Sequence, residues 1–261
     1  MYFENLEKEM ENEENEKELQ ESHYLESNFL PHIALDCVVF GFDSEQLQLK
    51  VLMLKMKHRE DWGLPGGFVG KRENLEDAAI RVLKERTGAK DIYLKQFKTF
   101  GKANRTDEII EGNTNVLWLK RRFITVGFYA LVDYKQVKPN KDKLSSDCGW
   151  KDIKDLPAIM LDHQTIFEEG LESLRRSLML RPVGYGLLPE KFTLSELQNL
   201  YEIILDRKLN RGNFYRKVMK YQILEKLNEI RNIGAHKAPF LYRFNKERYD
   251  DAVTNGLKDI W

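Results

Sequence analysis

The chain has 261 residues, 42% of them hydrophobic, enough for one large domain or two modest ones with packed cores. Its formal net charge of zero hides two opposed segments: ten glutamates against Lys8 and Lys17 give about −8 over residues 1–30, whereas residues 207–248 carry about +9. No run approaches the roughly 18 apolar residues that span a bilayer, and the acidic start is the opposite of a signal peptide's basic one, so a cytoplasmic protein without a membrane partner is expected.

In chain order, residues 1–30 form an acidic extension, either a solvated helix or a tail, to which no chemistry is assigned. "HIALDCVVFGF" (32–42) is a buried-strand pattern, "DSEQ" a polar turn, and "LQLKVLMLKM" (47–56) alternates in period two, so a hairpin enters a sheet. "WGLPGGFV" carries a strand into a Gly-rich loop, and a helix runs from Asn74 to Gly88. "DIYLKQFKTF" and "RFITVGFYALVDY" read as further strands around a long polar loop (101–120), and "DHQTIFEEGLESLRRSL" reads as a closing amphipathic helix. Cys37 and Cys148 fit no metal or disulfide spacing and are expected as reduced thiols, neither of them a nucleophile. The domains expected are an α/β unit over 31–180, a Pro- and Gly-rich linker over 181–188, and a second unit over 189–261.

The stretch "GGFVGKRENLEDAAIRVLKERTGA" (66–89) carries the most specific spacing. It resembles the signature of the Nudix hydrolases, G-x5-E-x7-R-E-U-x-E-E-x-G-U, with Gly67, Glu73, Arg81, Leu83, Glu85 and Gly88 on matching positions. The resemblance implies an α/β/α sandwich around a mixed sheet. Val82 and Arg86 stand where it expects glutamate, and Ala89 departs mildly. On a helix, positions 82, 85 and 86 lie at i, i+3 and i+4, so three carboxylates there would converge on a hard divalent cation. With Val82 and Arg86, one of three remains, and a permanent guanidinium stands beside the metal position. The box is therefore read as vestigial, with no catalytic residue, metal or cofactor. Asp107, Glu108 and Glu111 in the long loop are the carboxylates able to substitute; the plainer reading is a solvated loop. Asn74 suits the helix cap, and Glu73 suits a pair with Arg81.

The second unit reads as helix, turn, helix and a two-stranded wing. Thr193 and Glu196 make a capping box before a helix with Leu194, Leu197, Leu200, Tyr201 and Ile204 on one face. In "RGNFYRKVMKYQ", Phe214, Val218 and Tyr221 should pack inward, while Asn213, Arg216, Lys217 and Lys220 form the opposite stripe, as a recognition helix requires. Arg211 joins that surface, and His236 and Lys237 would sit at the wing tip. A basic stripe is often only a solvated face; here it coincides with the spacing and the local charge.

Together with "LPGGFV", "FYALV", the run from Leu156 to His163, "GYGLLPEKFTLSELQNLYE" and "NFYRKV", these features resemble the Nudix-related transcriptional regulators, which include repressors of NAD metabolism and arabinose-responsive regulators. The resemblance implies a homodimer on a palindromic double-stranded DNA operator, with the former catalytic cleft binding a sugar or an ADP-ribose-like nucleotide. Trp62, Arg105, Arg121 and Arg122 are the ligand-binding candidates. The competing reading is a Nudix-type hydrolase of a nucleoside diphosphate derivative with a rearranged metal site. A third is a winged helix that serves dimerisation alone.

Overall fold

The structure is a computed structural model that describes residues 16–57, 60–88, 92–107, 116–135, 137–140, 145–180, 184–231 and 238–255. From the first described residue the chain is helical over 16–28 (α1). The elements that follow are β1 (Phe29–Asp43), β2 (Gln48–Met56), β3 (Trp62–Gly63), β4 (Gly66–Gly70), α2 (Leu75–Thr87), β5 (Tyr93–Phe100), β6 (Ile124–Val132), β7 (Ser145–Asp152) and α3 (His163–Leu180). The C-terminal unit holds α4 (Leu194–Leu205), α5 (Arg211–Lys220), β8 (Leu224–Ile230), β9 (Phe240–Phe244) and α6 (Lys246–Asn255).

The sheet is mixed because β1 runs parallel to β6 and antiparallel to β2 and β4. Its main path is β3-β2-β1-β6-β5, with β4 paired to β1 and β7 to β2. Strand alternation divides the side chains between two layers. Leu35, Cys37 and Val39 of β1, with Val126, Phe128 and Ala130 of β6, pack on Ala78, Ala79, Val82 and Leu83 of α2. Val38, Phe40 and Phe42, with Tyr129 and Leu131, face Ile166, Phe167, Leu171 and Leu174 of α3. This is the expected α/β/α sandwich, and burial of its apolar faces is the main force holding it together.

Four segments differ from the sequence reading. Residues 66–70 are a strand instead of a Gly-rich loop, because β1 is long enough to pair Phe68 with Ala34 and Gly66 with Asp36. "SSDCGWKD" forms β7 on the free edge of β2, and α6 follows the wing. The expected linker is packed: Leu187 and Leu188 are buried and join Phe192, Leu197, Leu200 and Ile204 in the same cluster as Phe40 and Tyr129.

Candidate effector site and nucleic-acid interface

The box builds a corner of strand, turn and helix. Arg81 reaches back from α2 to Glu73, its Nε donating to Oε1 at 2.9 Å and its Nη2 to Oε2 at 2.9 Å; Nη2 also donates to the Phe68 carbonyl at 2.9 Å. Glu73 Oε2 accepts from the Gly70 amide at 3.0 Å, so this ion pair fastens the turn to both elements, and the Arg81 hydrogen bond holds the Glu73 carboxyl below its usual range. Asn74 occupies the N-cap position, but its side chain makes no cap bond and donates to Asp77 instead. Gly67 is required by close approach, because a β-carbon there would meet Val82 Cγ2 at 2.9 Å. Val82 is 2% exposed and belongs to the core under α2. Glu85 is exposed and lies 3.8 Å from Arg81. Arg86 is half-buried in the last turn of α2.

Each of the four ligand-binding candidates has a partner within the fold. The Arg105 side chain is 4% exposed and clamped by Asp162, Nε to Oδ2 at 2.9 Å and Nη2 to Oδ1 at 2.9 Å. Asp36 lies 3.6 Å from its guanidinium. Asp36 Oδ1 is also 3.7 Å from His163 Nε2, while His163 Nδ1 accepts the Leu64 amide at 2.9 Å. That acceptance puts the neutral ring's proton on Nε2, facing Asp36. Arg121 donates to Glu26 of α1 at 2.7 Å and lies over the Trp118 ring; Arg122 donates to the Gly101 carbonyl at 2.9 Å. Trp62 sits beside Ile159 on β3, its ring 3.7 Å from Lys151 Nζ. Asp107 is exposed, whereas Glu108 and Glu111 lie outside the described residues, as do His236 and Lys237.

In the C-terminal unit the Thr193–Glu196 capping box is complete and starts α4, whose buried residues are Leu197, Leu200, Glu202 and Ile204. A left-handed Asp206 (φ 50°) ends α4, and Glu202 fixes the turn by accepting from Lys208 Nζ at 2.9 Å, the Leu209 amide at 3.0 Å and Gln198 Nε2 at 2.9 Å. These three donors, Lys208 first, pull the Glu202 carboxyl down to about 2. Asn210 then caps α5 by accepting the Asn213 amide at 3.0 Å. Phe214 and Val218 are buried against α4, and Tyr221 is partly buried against Ile223 and Ala252. The opposite face exposes Arg211, Asn213, Arg216, Lys217 and Lys220.

Much of the remaining basic charge is spent within the fold. Arg231 bonds Glu196 and the Lys191 carbonyl, Arg243 pairs with Glu225 at 2.8 Å, and Arg248 donates to the Gln222 carbonyl. Lys226 Nζ stands 3.5 Å from the centre of the Phe240 ring. The wing pairs Glu225 with Arg243 and Lys226 with Tyr242, and Tyr242 bridges on to Phe192.

Comparison with known proteins fits this geometry. The NUDIX domain family matches residues 30–169, more than half of the chain, and the NrtR DNA-binding winged helix domain matches residues 184–244. The chain belongs to the NUDIX family and ends in an NrtR-type winged helix. Over 225 residues it is 29% identical to the ADPR responsive transcriptional repressor NtrR of Acinetobacter baylyi, covering 84% of each chain. An ADP-ribose pyrophosphatase of Methanocaldococcus jannaschii is 26% identical over 142 residues, 53% of this chain and 72% of its own. Shewanella oneidensis NrtR in complex with a 27mer DNA superposes with a TM-score of 0.70 at 26% identity, covering 84% of this chain and 95% of that one.

A Nudix domain implies a divalent cation on the box helix, and the residues present do not fit one. Val82 puts an apolar side chain into the core where a carboxylate should face the cation, Glu85 is alone, and Arg86 brings positive charge. Among the described residues no three His, Cys, Asp or Glu side chains group as a metal set. Burial pushes the Cys37 thiol up, away from nucleophilic use. Asp36 and the exposed Tyr215 and Phe240 escaped the sequence reading. The first lay in an apolar run, and the aromatics sit within elements whose neighbours pack inward.

Proposed function

We propose that this NUDIX-family chain is a DNA-binding transcriptional repressor that responds to ADP-ribose and uses its Nudix domain to sense the nucleotide without hydrolysing it. The observation that carries the reading is the outward basic face of α5, with Asn213, Arg216, Lys217 and Lys220 exposed while Phe214 and Val218 anchor the helix to α4. Arg and Lys there contact phosphates and guanine edges, and Asn suits adenine. The effector is narrowed from a general sugar to an ADP-ribose-type nucleotide by the A. baylyi repressor, whose name states that response. The protein acts in the cytoplasm as a homodimer, and two-fold symmetry places its half-sites one helical turn, or a multiple, apart on a palindromic operator.

The unfitted box supports sensing over turnover. A Nudix scaffold that lacks the carboxylates to hold metal and activate water is suited to binding a nucleotide without cutting it. Replacing both Arg216 and Lys217 by Ala is expected to weaken binding to the selected operator and to reduce the slope of log K against log salt by about 2, measured by anisotropy titration. An unchanged slope would remove α5 from the interface.

A further inference from the structure

We infer that Tyr215, backed by Phe240, is a base-reading residue that packs against thymine methyl groups of the bound DNA. The inference rests on the DNA-binding reading above and adds to it a contact that charge does not make. Tyr215 lies on α5 beside the basic stripe, on the flank that turns toward the wing, and is 47% exposed. Phe240, the first residue of β9, is 44% exposed even with Lys226 over its ring. The fold needs neither exposure, since Phe214 and Tyr242, their neighbours in chain and space, are buried.

The two rings line one groove of about 660 Å³ between α4, α5 and the wing, which Leu194, Phe214, Pro239 and Tyr242 also line. Tyr215 is part of its wall, as is the buried Tyr242. Arg211 lines it as well, and among the described residues no acidic residue does. It is thus continuous with the basic face, uncharged within, and bounded by a cation. That combination suits the edge of a DNA strand, with phosphate toward Arg211 and the thymine methyl, the one apolar group of the major groove, toward the rings. An acid-free apolar groove docking a protein is the other possible occupant, and the test separates the two.

The full chain first selects a duplex from a random pool; the same duplex is then made with uracil for thymine, which removes only the methyl groups. Wild-type protein is expected to bind the uracil duplex more weakly, by about four-fold per methyl contacted. Tyr215→Ala should bind both duplexes equally, Tyr215→Phe should keep the wild-type preference, and Phe240→Ala should reduce it. All should keep the wild-type salt slope, which reports intact folding and phosphate contacts. Equal wild-type affinity for the two duplexes, or a Tyr215→Ala protein that retains the full preference, overturns the inference while leaving DNA binding in place. Failure of the wild type to select any duplex overturns the DNA reading and the inference with it.

Discussion

Val82 lies between the Gly67 backbone and the apolar face of the sheet, at the position where the family's box carries a glutamate. A carboxylate there must either enter the core unpaired or push α2 away from β4. Val82→Glu is therefore expected to lower stability by about 2–4 kcal/mol in urea unfolding, with no gain of hydrolysis. A neutral substitution would mean that the position opens on the cleft. The Glu73–Arg81 pair was legible in the sequence from the spacing of the box, and Val82 as its missing glutamate. Arg105 was legible only as a basic residue in a polar loop. Its partner Asp162 lies 57 positions on, and a long-range ion pair leaves no local pattern.

At the scale of elements, the turn between α4 and α5 sets how the recognition helix is presented, and Glu202 holds it with three donors. Its carboxyl falls from an ordinary 4.5 to about 2 on folding, so its contribution is complete above pH 4.5 and is lost as pH falls toward 2. Glu202→Gln should remove that contribution, leaving the unfolding of the C-terminal unit less sensitive to pH between those limits when followed by circular dichroism. An unchanged acid profile would show that Glu202 is equally favourable in the unfolded chain. The helices of this unit were legible from the capping box and the apolar stripes. β7 and α6 were not, since a polar edge strand with Ser146 and Asp147 exposed and a polar helix burying only Tyr249 and Ala252 carry little periodicity.

At the scale of the whole molecule, Leu187 and Leu188 at the end of the expected linker are buried in the core. Leu187, Leu188 and Phe192 continue the cluster of β1, β6 and α3 into α4 and α5, and Arg175 of α3 donates to the Ile204 carbonyl at 2.8 Å. Composition alone reads "RPVGYGLLPEKF" as a linker, because Pro and Gly mark breaks in regular structure whether or not the break is buried. This shared apolar cluster joins the Nudix domain to its winged helix. On the dimer proposed above, an effector that binds two protomer arrangements unequally shifts the balance between them, and its coupling to DNA is reciprocal.

The most direct test titrates the selected operator with full-length protein at increasing ADP-ribose, in Mg²⁺, while the nucleotide is assayed for cleavage. The account predicts that DNA affinity falls by about five-fold or more as ADP-ribose saturates and that the nucleotide is recovered intact. DNA affinity independent of ADP-ribose, together with steady turnover of the nucleotide, would contradict it.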